Sequence, residues 1–365
     1  MLISAEPNTE SNRLAAIEQR RRSMLYERQS VASAKTAASD WIHRSWMRCL
    51  ALGQAPDEDP CFQLSSRQHE QRVKDQNNEL ISTAEPVLKR LADVIASTKY
   101  FTVLTDSSGI VLDAKGAIDY SDKRANQIVR VGTDLSESAI GTSAIGTCLV
   151  EKRSVWLHRG EHFLSGNRIY SCAGVPVFKS LDECVGMLDL TGIDVPERRE
   201  LTHLAARASK EIQKAYLRSM CSAGKHARLI QLQWPNSSFD GSNDGLLAVD
   251  ESGTIIAANQ AVKEWLPELA LTSTARCEDY FSVGCFDTFI DAMSRGRVAN
   301  LALWSGLQVA ARWYQEPVSA SDAPLKVVEA EMIRKAINKA RGNVAQAAGA
   351  LGISRATLYR KLHKH

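Results

Sequence analysis

Apolar positions in the first hundred residues recur at helical spacing, with Leu14, Ile17, Met24 and Leu25 forming one stripe within residues 9–48. Beside that stripe runs the basic triplet Arg20, Arg21 and Arg22. The stripe suits a helical dimer contact, and the triplet reads as a solvated helix face or, alternatively, as a contact to DNA. Residues 56–76 are polar in composition and predict a flexible joint. From Tyr100 the period changes. FTVLTDSSGIVLDAKG places two apolar runs around Asp106-Ser107-Ser108-Gly109, a hairpin signature. Further strands are predicted at SVWLH, IYSCAGVPVF and CVGMLDLTG, followed by a helix within residues 196–217. Strands enclosed by helices make an α+β domain.

The hairpin signature returns in GLLAVDESGTIIAANQAVKEWL, residues 245–266, where two apolar runs flank Asp250-Glu251-Ser252-Gly253 and a helix opens near Asn259. Phe281, Phe286, Leu301, Leu303, Trp304 and Trp313 are the apolar positions available to close this second, smaller sheet as its core. After Pro324 the spacing is helical again, at Val328, Met332, Ile333 and Ile337, and this helix should end at Arg341-Gly342-Asn343. An Ala-rich helix over Val344–Ala350 follows, then a turn at Gly352 and an N-cap at Ser354. On the last helix Leu358 and Leu362 face inward, leaving Ala356, Arg360 and His363 pointing out, flanked by Thr357, Tyr359 and Lys364.

Charge changes the picture of that tail. The whole chain of 365 residues carries +3, but residues 326–365 alone hold nine Lys/Arg against two acids, a net +7, so the remaining 325 residues sum to −4. A helix-turn-helix with a basic outer face sends its second helix into the major groove of double-stranded DNA. The residues predicted to meet DNA are Ser354, Arg355, Ala356, Thr357, Tyr359, Arg360, Lys361, His363 and Lys364.

Composition bounds the alternatives. With 44% hydrophobic and 24% charged residues the chain is a foldable, multi-domain protein with two or three cores. Its eight cysteines are scattered without zinc-ligand spacing, and neither a signal peptide nor a membrane-spanning apolar run is present. A cytoplasmic protein with reduced thiols is expected. Glu137, Thr142, Ser143, Thr147, His162 and Cys172 are interleaved with Gly141, Ala144, Gly146, Ala173 and Gly174, a composition that lines a concave ligand pocket or, alternatively, a turn-rich shell of satisfied hydroxyls. His158, His162, Cys148, Cys172 and Cys184 match no standard ligand pattern, so no metal and no cofactor are expected, and no residue is assigned as catalytic. A thiol enzyme using Cys148 or Cys172 would require a neighbouring general base.

Several segments carry a family resemblance. RGNVAQAAGALGISRATLYRKL is similar to the Fis-type helix-turn-helix that closes bacterial enhancer-binding regulators. That resemblance implies a homodimer formed through the preceding helix, reading half-sites roughly 34 Å apart. SESAIGTSAIGTCLVEKRSVWLHRGEHFLSGNRIYSCAGVPVFKSLDECVGMLDLTG resembles the GAF domain of AcoR-type acetoin-catabolism regulators, and upstream WIHRSWMRCLALG resembles that family's "SW-R-C" segment, so the likeness spans residues 40–217. The family usually places Asn where this chain has Ser143, which removes an amide donor. Residues 228–312 resemble a PAS domain in their first third.

The implied fold class is therefore α+β and multi-domain. A helical N-terminal region (1–98) precedes a GAF-like domain (99–217), a PAS-like domain (228–312), a linker (313–324) and an all-α helix-turn-helix (325–365). Full-length activators of the resembled family place an AAA+ ATPase before the helix-turn-helix. Here Gly224-Lys225 is followed by His226, with no Gly five positions before Gly224, so the phosphate-cradling G-x-x-x-x-G-K-[ST] loop is missing, as is a GAFTGA loop. The expected function is a sequence-specific transcriptional regulator that senses a small organic effector or a partner, without its own sigma-54 remodelling. RNA polymerase and a related full-length regulator, as competitor or heterodimer partner, are the further partners implied. A constitutive architectural DNA protein would not need two sensory modules.

Overall fold

The computed structural model describes residues 7–26, 40–62, 65–223, 227–237, 239, 243–271, 275–282, 290, 293, 294, 296–314, 344–350, 355 and 358. They fall into two compact units, Met1–Trp313 and Tyr314–His365.

The first unit opens with α1 (Pro7–Arg21), which runs into a π-helical turn, Arg22–Tyr26, and continues with α2 (Asp40–Ala51), α3 (Arg67–Gln76) and α4 (Asn78–Ile95). The polar stretch expected to be a joint is thus helical over its second half. Ser66 caps α3 by accepting from the His69 N–H at 3.2 Å, and Val73 is buried, so one cap and one anchored apolar residue suffice to order a polar sequence.

Next come β1 (Tyr100–Asp106), β2 (Val111–Gly116), α5 (Lys123–Val129), α6 (Glu137–Ile140), α7 (Ala144–Glu151), β3 (Val155–His158), β4 (Tyr170–Phe178), β5 (Cys184–Ile193) and α8 (Leu201–Ala223). Their strands form an antiparallel sheet ordered β2-β1-β5-β4-β3. Both faces are covered, which is why the strands read as continuous apolar runs. Tyr100, Leu104, Val175, Leu188 and Leu190 pack under α4 and α8. Phe101, Val103, Cys172 and Met187 pack under Trp41, Trp46 and Cys49 of α2 and Ala144, Ile145 and Cys148 of α7.

A second antiparallel sheet is built from β6 (Arg228–Gln233), β7 (Gly245–Val249), β8 (Ile255–Ala258), β9 (Ala299–Ala302) and β10 (Gln308–Trp313), in the order β8-β7-β6-β10-β9. Helices α9 (Gln260–Trp265) and α10 (Cys277–Tyr280) accompany it. Both sheets use the same hairpin. Asp106 Oδ1 accepts from the N–H groups of Ser108 (2.8 Å) and Ile110 (3.0 Å), and Asp250 Oδ1 from those of Ser252 (2.9 Å) and Thr254 (2.8 Å). Gly109 and Gly253 complete the two turns at φ +91° and +80°, a region that disfavours side chains. Asn259 explains its place after β8: its Oδ1 accepts from Leu246 N–H (3.0 Å) and Val262 N–H (3.2 Å), tying the start of β7 to the first turn of α9. Phe281, Leu301 and Leu303 are buried in this core as expected, whereas Trp304 is 67% exposed on the β9–β10 turn; Phe286 lies outside the described residues.

The two sheets are joined covalently by α8 and laterally by the β4–β5 turn. Leu181 of that turn is buried in the core of the second sheet, and Ser180 Oγ both donates to Ala258 O (3.2 Å) and accepts from Ala258 N–H (3.1 Å). In the second unit α11 (Val344–Ala350) forms over the predicted residues, with Ala348 buried. Leu358 is fully buried, as its wheel position requires, and Arg355 is helical and exposed.

Candidate functional site

Cys172 and Thr191 face each other across β4 and β5, and with Tyr170, Asp189 and Val103 they lie on the side of the first sheet opposite α4 and α8. Side-chain alternation along three strands produces this grouping. Ile128 of α5, Leu135, the Ile140–Ile145 turn, His162 and Asn167 close over it and leave a cavity of about 30 Å³ whose lining residues are all buried. That volume holds two or three waters at about 10–15 Å³ each.

The hydroxyl and imidazole donors on this wall are already committed. Ser143 Oγ donates to Leu135 O (3.1 Å) while accepting from Gly146 N–H (3.0 Å) as the N-cap of α7. Tyr170 Oη donates to Arg124 O (3.2 Å), Asn167 Nδ2 to Ile140 O (2.9 Å) and Thr191 Oγ1 to Asp189 Oδ2. His162 Nδ1 meets Arg159 O at 3.0 Å, which fixes the proton on that nitrogen. Burial lowers the His162 imidazole to about 4, so it is neutral near pH 7. Among the described residues Asp189 Oδ1 and Asn167 Oδ1 find no hydrogen-bond partner of good geometry. Burial raises the Asp189 carboxyl to about 6, against a hydrogen bond from Thr191 that pulls it down. Neither Asp189 nor Asn167 was singled out from the sequence. The signal was there: Met187, Asp189 and Thr191 share one face of a buried strand, so a carboxylate at the middle position must be enclosed.

Of the six residues proposed to bind a ligand, Ser143, His162 and Cys172 line this cavity. Glu137, Thr142 and Thr147 are buried elsewhere, around Ser45 of α2. Ser45 Oγ donates to Glu137 Oε1 (2.5 Å) and lies 2.7 Å from Thr142 Oγ1 and 3.2 Å from Thr147 Oγ1. Arg48 grips Glu137 with two bonds, 2.7 and 2.8 Å, and reaches Glu151 Oε1 at 3.0 Å. Trp46 Nε1 donates to Glu161 O (2.9 Å), and Cys49 Sγ stands 3.4 Å from Thr142 Oγ1. Ser45, Arg48 and Cys49 thus hold α2 against α6, α7 and the turn between them, whose other side is the cavity wall, while Trp46 ties α2 to the turn at residues 159–161.

Within the basic triplet Arg22 is exposed as expected and Arg20 is half-buried, but Arg21 departs from the expected solvated face. Arg21 is 2% exposed, with Nη1 donating to His162 O (2.6 Å) and Nη2 to Phe163 O (2.5 Å) and Pro56 O (3.2 Å). Ile17, one helical turn earlier and also buried, puts this position on the inward side of α1, and four carbonyls, the fourth that of Gly160 at 3.4 Å, replace the water that the guanidinium loses. Arg13 adds an ion pair to buried Glu161 at 2.6 Å. His162, which α1 grips through its carbonyl, carries its ring on the cavity wall.

Burial pushes the Cys148 and Cys172 thiols well above their ordinary range, so both are protonated near neutrality, the opposite of an activated nucleophile. Among the described residues no three His, Cys, Asp or Glu side chains are grouped to hold a metal ion, and no helix is long and apolar enough to cross a membrane. Of the nine predicted DNA-contacting residues only Arg355 is described. Ser354, Ala356, Thr357, Tyr359, Arg360, Lys361, His363 and Lys364 lie outside the described residues, as do Val328, Met332, Ile333 and Ile337.

Comparison with known proteins places this architecture. The family described as MimR, N-terminal domain, matches residues 16–213, which is more than half of the chain and includes α2, the sheet and the cavity. The chain belongs to this family. Residues 324–365 match a second family, the bacterial regulatory protein Fis family. A signal-transduction and transcriptional-control protein of Clostridium beijerinckii is 29% identical over 62% of this chain and 35% of its own length. The acetoin catabolism regulatory protein of Cupriavidus necator is 24% identical over 64% of this chain and 35% of its own. The propane 2-monooxygenase operon transcriptional activator MimR of Mycolicibacterium smegmatis is 28% identical over 63% and 38% respectively. The matches thus span little more than a third of the relatives' length.

Proposed function

We propose that this protein is a sequence-specific DNA-binding transcriptional regulator, in which a small molecule entering the first-sheet cavity alters how the chain presents its Fis-type helix-turn-helix. The observation that carries the reading is the joint presence, in one chain, of a MimR N-terminal domain enclosing a buried cavity and a Fis-family segment at residues 324–365. DNA binding follows the charge of the tail, and the exposed Arg355 suits its predicted surface.

A cavity of about 30 Å³ admits a larger guest only if its wall moves. The wall is attached to two neighbours that would move with it. The α6–α7 turn and residues 160–163 are held by α2 and α1, and β4 and β5 continue into the turn that buries Leu181 beside the second sheet. A ligand shifts the regulator's state only by binding one arrangement better than the other. The PAS-like reading of residues 228–312 supplies the second relay, and a homodimer would turn the rearrangement into altered half-site geometry. Without a P-loop the chain acts by occupancy or by contact with RNA polymerase.

A second reading is favoured by the same pair of family matches. A chain sharing both a sensory domain and a Fis-type segment with full-length activators would compete for their sites or form mixed dimers with them.

Genome-wide occupancy of the full chain, of Arg360→Ala and of a variant lacking residues 324–365 tests the main reading. Discrete sites are expected for the native chain and none for the truncation. Arg360→Ala should lose about 1–3 kcal/mol and relax preference at one base position. Sites that survive the truncation would remove the helix-turn-helix as the output; uniform weakening by Arg360→Ala would make Arg360 a phosphate contact.

A further inference from the structure

The polar groups on the cavity wall are unbalanced in one direction. The hydroxyls of Ser143, Tyr170 and Thr191 donate to protein oxygens, the His162 Nδ1–H is turned to a backbone carbonyl, and the Cys172 thiol, a weak donor, lies against Thr191 Oγ1 and the Asp189 carboxylate. Asn167 has its orientation fixed, because Nδ2 donates one of its two hydrogens to Ile140 O while Oδ1 finds no partner among the described residues. What the wall keeps unused are acceptors: Asp189 Oδ1 and Asn167 Oδ1, on residues 0% and 1% exposed. The rest of the lining is apolar, from Val103, Ile128, Leu135, Ile140 and Ile145. Among the described residues no lysine or arginine lies on the wall to complement the carboxylate.

We propose that the cavity receives a small aliphatic molecule carrying a hydrogen-bond donor, a hydroxyl or an ammonium, that it presents to Asp189 Oδ1 and Asn167 Oδ1. This rests on the sensory reading and names the chemistry of its ligand. A molecule offering only a carbonyl would leave both acceptors unmatched and bring a third acceptor against them, and buried groups without partners are costly. Specificity therefore comes from the sign of the hydrogen bond, with the apolar wall setting size.

Butan-2-ol, butan-2-amine and butanone share one carbon skeleton and differ in that sign. Titrated by calorimetry into the full-length chain at neutral pH, the alcohol or the amine should bind at least about tenfold tighter than the ketone, and a clear lead of the amine over the alcohol would identify the charge of Asp189 as the main attraction. Asp189→Asn then supplies the decisive contrast. Its amide oxygen can take over the Thr191 hydrogen bond, which puts an NH2 donor where Oδ1 stands, so the variant should turn toward the ketone. Equal or tighter binding of the ketone to the native chain, no binding of any of the three, or an unchanged preference in Asp189→Asn would overturn the proposal. Repeating the titrations with operator DNA separates the two layers. Binding of the alcohol or amine with unaltered DNA affinity retains the ligand class and rejects the sensory role; a DNA response to the ketone alone does the reverse.

Discussion

Asp189→Asn is expected to make the protein more stable above neutral pH, by about 2–3 kcal/mol at pH 8, and by nothing near pH 4. The carboxyl is fully enclosed and its pKa stands at about 6 against an ordinary value of 3.8. The folded state therefore holds the proton more tightly than the unfolded chain does. Native stability rises as pH falls from about 6 toward 3.8, and the whole cost of the buried charge is present above 6. Two pH units of displacement correspond to roughly 3 kcal/mol. An uncharged amide of the same shape escapes that cost, less a fraction for an NH2 that lacks an acceptor. His162 acts in the opposite direction. Its pKa of about 4 means that its contribution is complete above 6.5 and is lost as pH falls toward 4. That contribution is common to both proteins and cancels between them. Urea unfolding of the two proteins from pH 4 to 8 measures the difference, and a gap that stays constant with pH would show that Asp189 is not a buried charge. A destabilising carboxylate on the wall of a cavity is what a binding group looks like when stability alone would have removed it.

Local chemistry was legible in the sequence, and long-range partnership was not. The two Asp-x-x-Gly hairpins and the α11 segment form where predicted because each is decided within a few residues, by an Asp side chain capping its own turn or by helix propensity with a following Gly. The candidate pocket was half legible. Ser143 and Thr142 are adjacent in a short turn with no regular period, so nothing in the sequence says that the first faces the cavity and the second faces Ser45, 97 positions away. The same holds for Arg21, whose acceptors at His162 and Phe163 lie 141 and 142 positions along the chain. A guanidinium reads as a solvated group until the carbonyls that replace its water are known. Strand β6 inserts between β7 and β10, a neighbour relation that its sequence, RLIQLQ, does not announce.

The Ser45-Trp46-x-Arg48-Cys49 segment offers the other large effect. Arg48→Met should destabilise the protein by about 2–4 kcal/mol, because Glu137, 6% exposed, loses two charge-assisted hydrogen bonds and keeps only that from Ser45. The estimate sits below the usual cost of orphaning a buried carboxylate, since the Arg48 side chain is 31% exposed and water screens part of the pairing. Adding Glu137→Gln should recover most of the loss: the amide still accepts from Ser45 but no longer carries a charge that needs a counter-ion. Denaturant unfolding of the single and double variants gives the coupling between the two side chains. If Arg48 only packed its methylene stem against α6, the two effects would add and the double variant would be worse than either single. If instead the ion pair holds the α6–α7 turn in place, the double variant regains stability while its α2 is tethered less tightly. Its response to a ligand in the adjoining cavity would then weaken even though the cavity wall itself is unaltered. That separation of restored stability from lost response is the signature of a clamp that transmits, as distinct from one that only supports the fold.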